Sequence, residues 1–275
     1  MKANAKSIFI YIFLLLFFIY TVFPIYWTIT TSLKKESSIF SHAIQYFPIQ
    51  FTLSNYANVW WSTNFPVFIL NSFFVASATA LITIIITSLA GYGLARYQFK
   101  GKGIVTFLII SIQMFPIVMV IVPLYRIFNF LHLINTRLGV VLTYSTFMVT
   151  FCTLLMRSFF MSFPKEIEEM ARIDGCGTLK IIFRITLPVC LPGVVATGIF
   201  AFIYAWNELI FATMFLNSEK IQTLPVGLNS MAGQYMVEWG QIAAGTTIGL
   251  LPTIILFGFI HKHLVSGVAT GGLKG

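Results

Sequence analysis

Acidic residues are scarce in this chain: 8 aspartates and glutamates in 275 residues, against 17 lysines and arginines. Charged residues make up 9% of the sequence and hydrophobic ones 58%. A soluble domain carries about a quarter charged residues to cover its surface. That shortage excludes an ordinary soluble globular protein and points to a polytopic membrane protein. The formal net charge of +9 comes from few acids rather than many bases. The bases lie beside hydrophobic spans, where they read as topology signals and not as a nucleic-acid surface. Cysteine is rare too, and the spacing of Cys152, Cys176 and Cys190 fits neither a disulfide framework nor a metal site. No phosphate-cradling Gly-x-x-x-x-Gly-Lys-Ser/Thr run occurs; Gly101-Lys102-Gly103 is only a short basic loop. The chain therefore has no nucleotide site of its own. No paired carboxylates, histidine cluster or nucleophile–base set converges, which argues against an enzyme. His261, Lys262 and His263 read as interfacial anchors rather than metal ligands, so no metal is expected.

What is present is hydrophobic length. Apolar stretches near 8–30, 67–95, 104–128, 138–160, 189–216 and 241–263 each supply the roughly 20 helical residues that a bilayer core requires. The first has no small-x-small cleavage site and reads as an uncleaved span. The fold class expected is all-α and integral to the membrane, one domain over 1–275 with about six helices. Twelve bases, among them Lys2, Arg96, Lys165 and Lys262, fall on one side of the spans and five, including Lys34 and Lys220, on the other. The richer side is cytoplasmic, which places both termini and segment 161–188 inside. Small residues from Ala76 to Gly93 suit close helix packing in lipid. Tyr46, Phe47, Tyr56, Trp60 and Trp61 suit an outer interfacial belt, with contact to an external partner as the alternative.

The most charged stretch lies between two spans. Residues 164–188 hold Lys165, Glu166, Glu168, Glu169, Arg172, Asp174, Lys180 and Arg184. Ser162 and Pro164 suit a helix start, and the glutamates then sit where the helix dipole favours negative charge. Ile167, Met170 and Ala171 recur at helical spacing as one apolar face. Asp174-Gly175-Cys176-Gly177 breaks the helix, Thr178 suits the cap of a second one through Ile181, Ile182 and Ile185, and Pro188 precedes the next span. The result is a cytoplasmic helix-turn-helix whose apolar stripe packs either on its own bundle or in a groove of another protein.

Within a span, Glu208 follows Trp206 and Asn207. A carboxylate in lipid costs about 2.5–3.5 kcal/mol, so it must face the bundle interior or a wet cavity. An aromatic face beside amide and carboxylate suits a sugar; the competing reading is that Glu208 and Asn207 bond neighbouring helices and hold the bundle. Gln113, near Pro116 and Pro123, is a second pathway candidate, because irregular backbone at depth is tolerated where protein or water covers it.

The 164–188 segment resembles the cytoplasmic loop of ATP-binding-cassette importer permeases. That loop reads Glu-Ala-Ala, three residues, Gly, nine residues, Ile, one residue, Leu-Pro. Here Glu169-Met170-Ala171, Gly175, Ile185 and Leu187-Pro188 stand at that spacing, with Met170 in place of the second alanine. Further stretches resemble the carbohydrate branch: Asn55-Tyr56, Ala90 to Arg96, Ala171-Arg-Ile-Asp174-Gly, Ala205-Trp-Asn-Glu208, Thr223 to Leu228, and the tail from Gly267. The chain is most similar to the shorter permease of the maltose-importer type.

That resemblance implies a type I importer permease fold whose 161–188 loop docks on a separate ATPase present in two copies. ATP and Mg would be held there, with no cofactor in this chain. It also implies a second homologous permease, an extracytoplasmic binding protein, and import of a sugar or oligosaccharide. Two rivals remain. An ion-coupled secondary transporter would need repeats and intramembrane charges that are not evident. The same permease type could instead carry a non-sugar such as a glycerol phosphate diester.

Overall fold

The computed structural model describes residues 5–41, 43–233 and 237–271, with side chains described only over 7–259. The tail 272–275 and the side chains of His261, Lys262 and His263 lie outside the described residues. In chain order the helices are α1 (Ala5–Ser32), α2 (Glu36–Ile39), α3 (Ser54–Trp61), α4 (Phe65–Arg96), α5 (Lys102–Gln113), α6 (Ile117–Phe130) and α7 (Arg137–Ser162). There follow α8 (Lys165–Ile173), α9 (Thr178–Ile181), a π-turn (Ile182–Thr186), α10 (Leu187–Val189), α11 (Leu191–Asn207), α12 (Ile210–Phe215), α13 (Leu224–Ala232) and α14 (Trp239–Gly271). The only β pairing among the described residues is one bridge between Lys34 and Phe51.

Among the described residues four helices are long and apolar enough to cross a membrane: 7–32, 65–96, 137–162 and 239–259. They correspond to the first, second, fourth and sixth apolar stretches. The third and fifth stretches differ from expectation. The 104–128 stretch is not one helix: α5 and α6 meet at 100° across Met114–Pro116. Pro116 has an extended backbone and no N–H, so α5 cannot run through it. The 189–216 stretch begins at Leu191, bent by 83° from the preceding helical segment, and its helix stops at Asn207. Counting each bent pair as one span gives up to six.

The chain divides into two compact units, one of residues 1–66 and 227–251, the other of 67–226 and 252–275. In the first, α1 is apolar all round and contributes almost nothing to a core. Pro24 interrupts its ladder, and Thr28 returns a hydroxyl hydrogen bond to the Pro24 carbonyl at 2.9 Å. The segment after α1 is tied down by side chains that bond to backbone. Asn55 donates to the carbonyls of Ser32 (2.9 Å) and Lys34 (2.7 Å). Glu36 accepts the N–H groups of Trp239 and Gly240, each at 2.9 Å, and so caps α14 with a negative charge. Lys34 is buried, donates to the Gln45 carbonyl and lies 4.5 Å from the Trp27 ring; burial lowers its pKa from the usual lysine value. The belt expected from sequence is exposed at Tyr46, Phe47 and Trp61.

In the second unit, α7 and α11 form the central packed pair, lined by Cys152, Met156, Phe160, Ala201 and Ala205. Gly91 of α4 lies against Met156 so closely that a Cβ there would sit 2.9 Å from the Met156 Cβ. Small residues therefore do bring α4 onto α7, as lipid-embedded helices require. Asn71 donates to the carbonyls of Lys220 and Gln222, and Ser72 accepts from the Leu224 N–H, closing the Thr223-Leu-Pro-Val stretch onto α4.

Candidate functional site

The charged loop is helix, turn and helix, as its sequence implies. Phe163 and Pro164 are extended and α8 starts at Lys165. Ser162 does not start it: it is the last residue of α7, its hydroxyl bonded back to the Phe159 carbonyl. The exit of α8 is a Schellman turn. The Cys176 N–H reaches the Ala171 carbonyl at 2.9 Å, the Gly175 N–H reaches Arg172 at 3.0 Å, and Gly175 takes φ +79°. Thr178 does not cap α9; Gly177 holds that position and Thr178 is the first helical residue. The π-turn before Pro188 has a local cause. Proline has no N–H for the i−4 carbonyl and would crowd it, so the preceding turn widens.

The two faces of α8 are not those of the sequence reading. Ile167, Met170 and Ala171 do not form one face: only Glu168 and Ala171 are buried, three residues apart, while Ile167, Met170 and Ile173 are exposed. Ala171 therefore packs against its own bundle. Glu169, Asp174, Gly175 and Pro188 are exposed. Ile185 and Leu187 pack inward on a cluster of Tyr92, Met156, Phe160, Phe163, Ile182 and Cys190.

At the centre of the inward face is Glu168, which the sequence reading grouped with its neighbours as a dipole partner. Its carboxylate takes the Arg96 guanidinium (Nη2–Oε1 2.9 Å, Nε at 3.0 and 3.1 Å), the Tyr92 hydroxyl (2.9 Å) and the Thr186 hydroxyl (3.1 Å). Arg96 also donates to the Phe163 carbonyl at 2.9 Å. The two charged side chains are 5% and 4% exposed. A buried pair of this kind is tolerable because further hydrogen bonds engage both the carboxylate and the guanidinium. A signal was available in the sequence: a glutamate three residues before a small residue on a short helix, and an arginine closing the α4 stretch. It was hidden because each charge had an adequate surface explanation.

Trp206, Asn207 and Glu208 sit at the break after α11. The Glu208 carboxylate accepts the N–H groups of Ile210 (2.8 Å), Phe211 (3.0 Å) and Ala212 (3.2 Å), and the Tyr144 hydroxyl at 2.5 Å. It caps the first turn of α12 and ties it to α7. This geometry favours the bundle-holding reading over a sugar contact for Glu208. Trp206 is buried and stacked on Phe202, centroids 5.7 Å apart. Asn207 is exposed, its amide on the Ile203 carbonyl at 2.8 Å. Gln113 is exposed at the end of α5, on a different element from the other three. Among the described residues no group of three or more His, Cys, Asp or Glu could hold a metal.

Residues 83–270, which include this loop, match the family described as the binding-protein-dependent transport system inner membrane component. The chain belongs to that family. It is 38% identical over 254 residues to the sulfoquinovosyl glycerol transport system permease protein SmoH of Agrobacterium fabrum, covering 92% of this chain and 89% of that one. It is 31% identical over 274 residues to the trehalose/maltose transport system permease protein MalG of Thermococcus litoralis, covering 98% of each. A crystal structure of a bacterial ABC transporter involved in import of the acidic polysaccharide alginate holds a chain with the same fold. Its TM-score is 0.82 at 21% identity, over 95% of this chain and 98% of that one. The protein is thus a multi-pass membrane permease subunit of a binding-protein-dependent ABC importer, a transport component rather than an enzyme. It works with an ATPase and a binding protein, as its family does.

Proposed function

We propose that this permease imports a sugar or oligosaccharide, delivered by an extracytoplasmic binding protein, through a path shared with a second, homologous permease. Two copies of a cytoplasmic ATPase hold ATP and Mg; this chain contributes no cofactor site. Both termini and the 161–188 loop face the cytoplasm, and Glu169, Met170, Asp174 and Gly175 form the surface offered to the ATPase. The observation that carries the reading is the split of α8, with its inner face anchored by Glu168 and an outer face of Ile167, Met170 and Ile173 left exposed beside Glu169. The cargo class rests on the names of the relatives, both of which specify glycosides. Asn207 and Gln113, exposed on α11 and α5, are the pathway candidates that retain a surface for cargo.

The test is uptake of radiolabelled disaccharides by the complete complex in proteoliposomes. The expected result is uptake that requires ATP and the binding protein. Glu169→Lys should leave the complex assembled and lower uptake by about tenfold or more, as a charge reversal at a docking surface does. Uptake driven by an ion gradient without ATP would overturn the proposal.

A further inference from the structure

We infer that the Arg96–Glu168 pair, with Tyr92 and Thr186, is the joint through which displacement of the 164–188 loop is delivered to the membrane helices. The inference rests on the importer reading above and assigns the power connection to particular atoms. Four segments meet in the joint. Tyr92 and Arg96 close α4, the Phe163 carbonyl ends α7, Glu168 is the inner face of α8, and Thr186 closes the π-turn. Ala171, Ile181, Ile182, Ile185 and Leu187 add apolar contacts on the inward side, and the Arg172 side chain also hydrogen-bonds the Tyr92 hydroxyl. Apolar contact is non-directional and permits sliding. A forked guanidinium on a carboxylate is directional, and at 5% and 4% exposure it is stiffened by the low local dielectric. A push on α8 therefore reaches α4 without slack. The Arg96 bond to the Phe163 carbonyl at 2.9 Å carries the same push to the end of α7. Neighbouring glutamates divide the work, Glu168 holding the loop to its own bundle while Glu169 is left facing outward.

A purely stabilising pair would affect assembly and nothing else, so the test reads coupling. The loop carries its own probe position: Cys176 is partly exposed next to Gly175, whereas Cys152 and Cys190 are buried. A spin label on Cys176 reports loop mobility without cargo or ATP, and uptake per ATP hydrolysed reports transmission in the full complex. Arg96→Glu and Glu168→Arg should each loosen the label and lower uptake per ATP by about tenfold or more, since each leaves buried like charges. The exchanged double variant should recover most of both. If the single reversals do not reach the membrane, Tyr92→Phe and Thr186→Val serve instead. Each removes one hydroxyl and should lower uptake per ATP by about fivefold, the equivalent of one hydrogen bond. Assembled variants with wild-type uptake per ATP, or a double variant no better than the singles, would overturn the joint. A wild-type complex with no ATP-driven uptake would instead overturn the importer reading. Label mobility would still decide the joint in that case: a label equally immobile in wild type and variants would count against it.

Discussion

Glu168 and Glu169 are adjacent in the chain, yet one is buried in the bundle and the other is exposed. Successive residues of an α-helix are about 100° apart, and on α8 that rotation separates a carboxylate bonded to Arg96, Tyr92 and Thr186 from one that is exposed. The two substitutions to alanine should consequently differ in kind. Glu168→Ala leaves the Arg96 charge buried without its partner and should lower stability by about 3–5 kcal/mol. Glu169→Ala, on the surface, should stay within about 0.5 kcal/mol while reducing ATP-driven uptake. Thermal unfolding of the detergent-solubilised permease, set beside uptake, separates the two.

Gly175 makes a second distinction. A Cβ there would meet nothing within 4 Å, so a plain loop glycine would tolerate alanine. Its φ of +79° lies in the left-handed region that a Cβ disfavours by about 1–2 kcal/mol. Gly175→Ala should therefore destabilise the α8 exit by that amount despite the open space. Gly175→Asn should do so less, because asparagine enters that region more readily. Equal melting temperatures for glycine, alanine and asparagine would place the role of Gly175 elsewhere.

The sequence revealed those parts of this molecule whose cause is local. Spans α1, α4, α7 and α14 follow from the length of their apolar runs, and the turn at Asp174-Gly175 follows from its residues. Met114–Pro116 and Asn207-Glu208 were harder to place. Each lies inside an apolar run that passes a window of spanning length, and whether the chain bends there depends on what covers the freed backbone. In the second case Glu208 caps the three amides itself, a role visible only once α12 is known to begin at Ile210. The Arg96–Glu168 pair joins residues 72 positions apart; the sequence shows each charge, with a surface explanation of its own, but not that one is the other's partner. Periodicity put Ala171 with Ile167 and Met170, but its burial beside Glu168 turned that part of the stripe inward.

Glu208 tests cap against cargo contact. Glu208→Ala removes the carboxylate that three α12 amides and the Tyr144 hydroxyl share. Loss of a cap costs about 0.5–2 kcal/mol, and stranded donors add to that. The expected outcome is less assembled permease. Among the molecules that assemble, the concentration dependence of uptake should be unchanged. Glu208→Gln keeps a carbonyl acceptor and should restore most of the yield. A Glu208→Gln permease that assembles normally but needs a much higher sugar concentration would favour direct contact with cargo instead.

Cys176 settles which way the loop faces. It is the one described cysteine with exposed surface, Cys152 and Cys190 being buried among α7 and α11 side chains. A membrane-impermeant maleimide added to right-side-out vesicles should therefore leave the permease unlabelled. The same reagent on inside-out vesicles should add one label per chain, abolished by Cys176→Ser. Assembly with the ATPase should slow that labelling, since Cys176 follows directly on the turn that closes α8. Rapid labelling from the outside would reverse the orientation deduced from the basic residues. Labelling from the inside that the ATPase leaves unchanged would keep the orientation but move the docking surface away from Gly175, toward the exposed side chains of Ile167 and Met170.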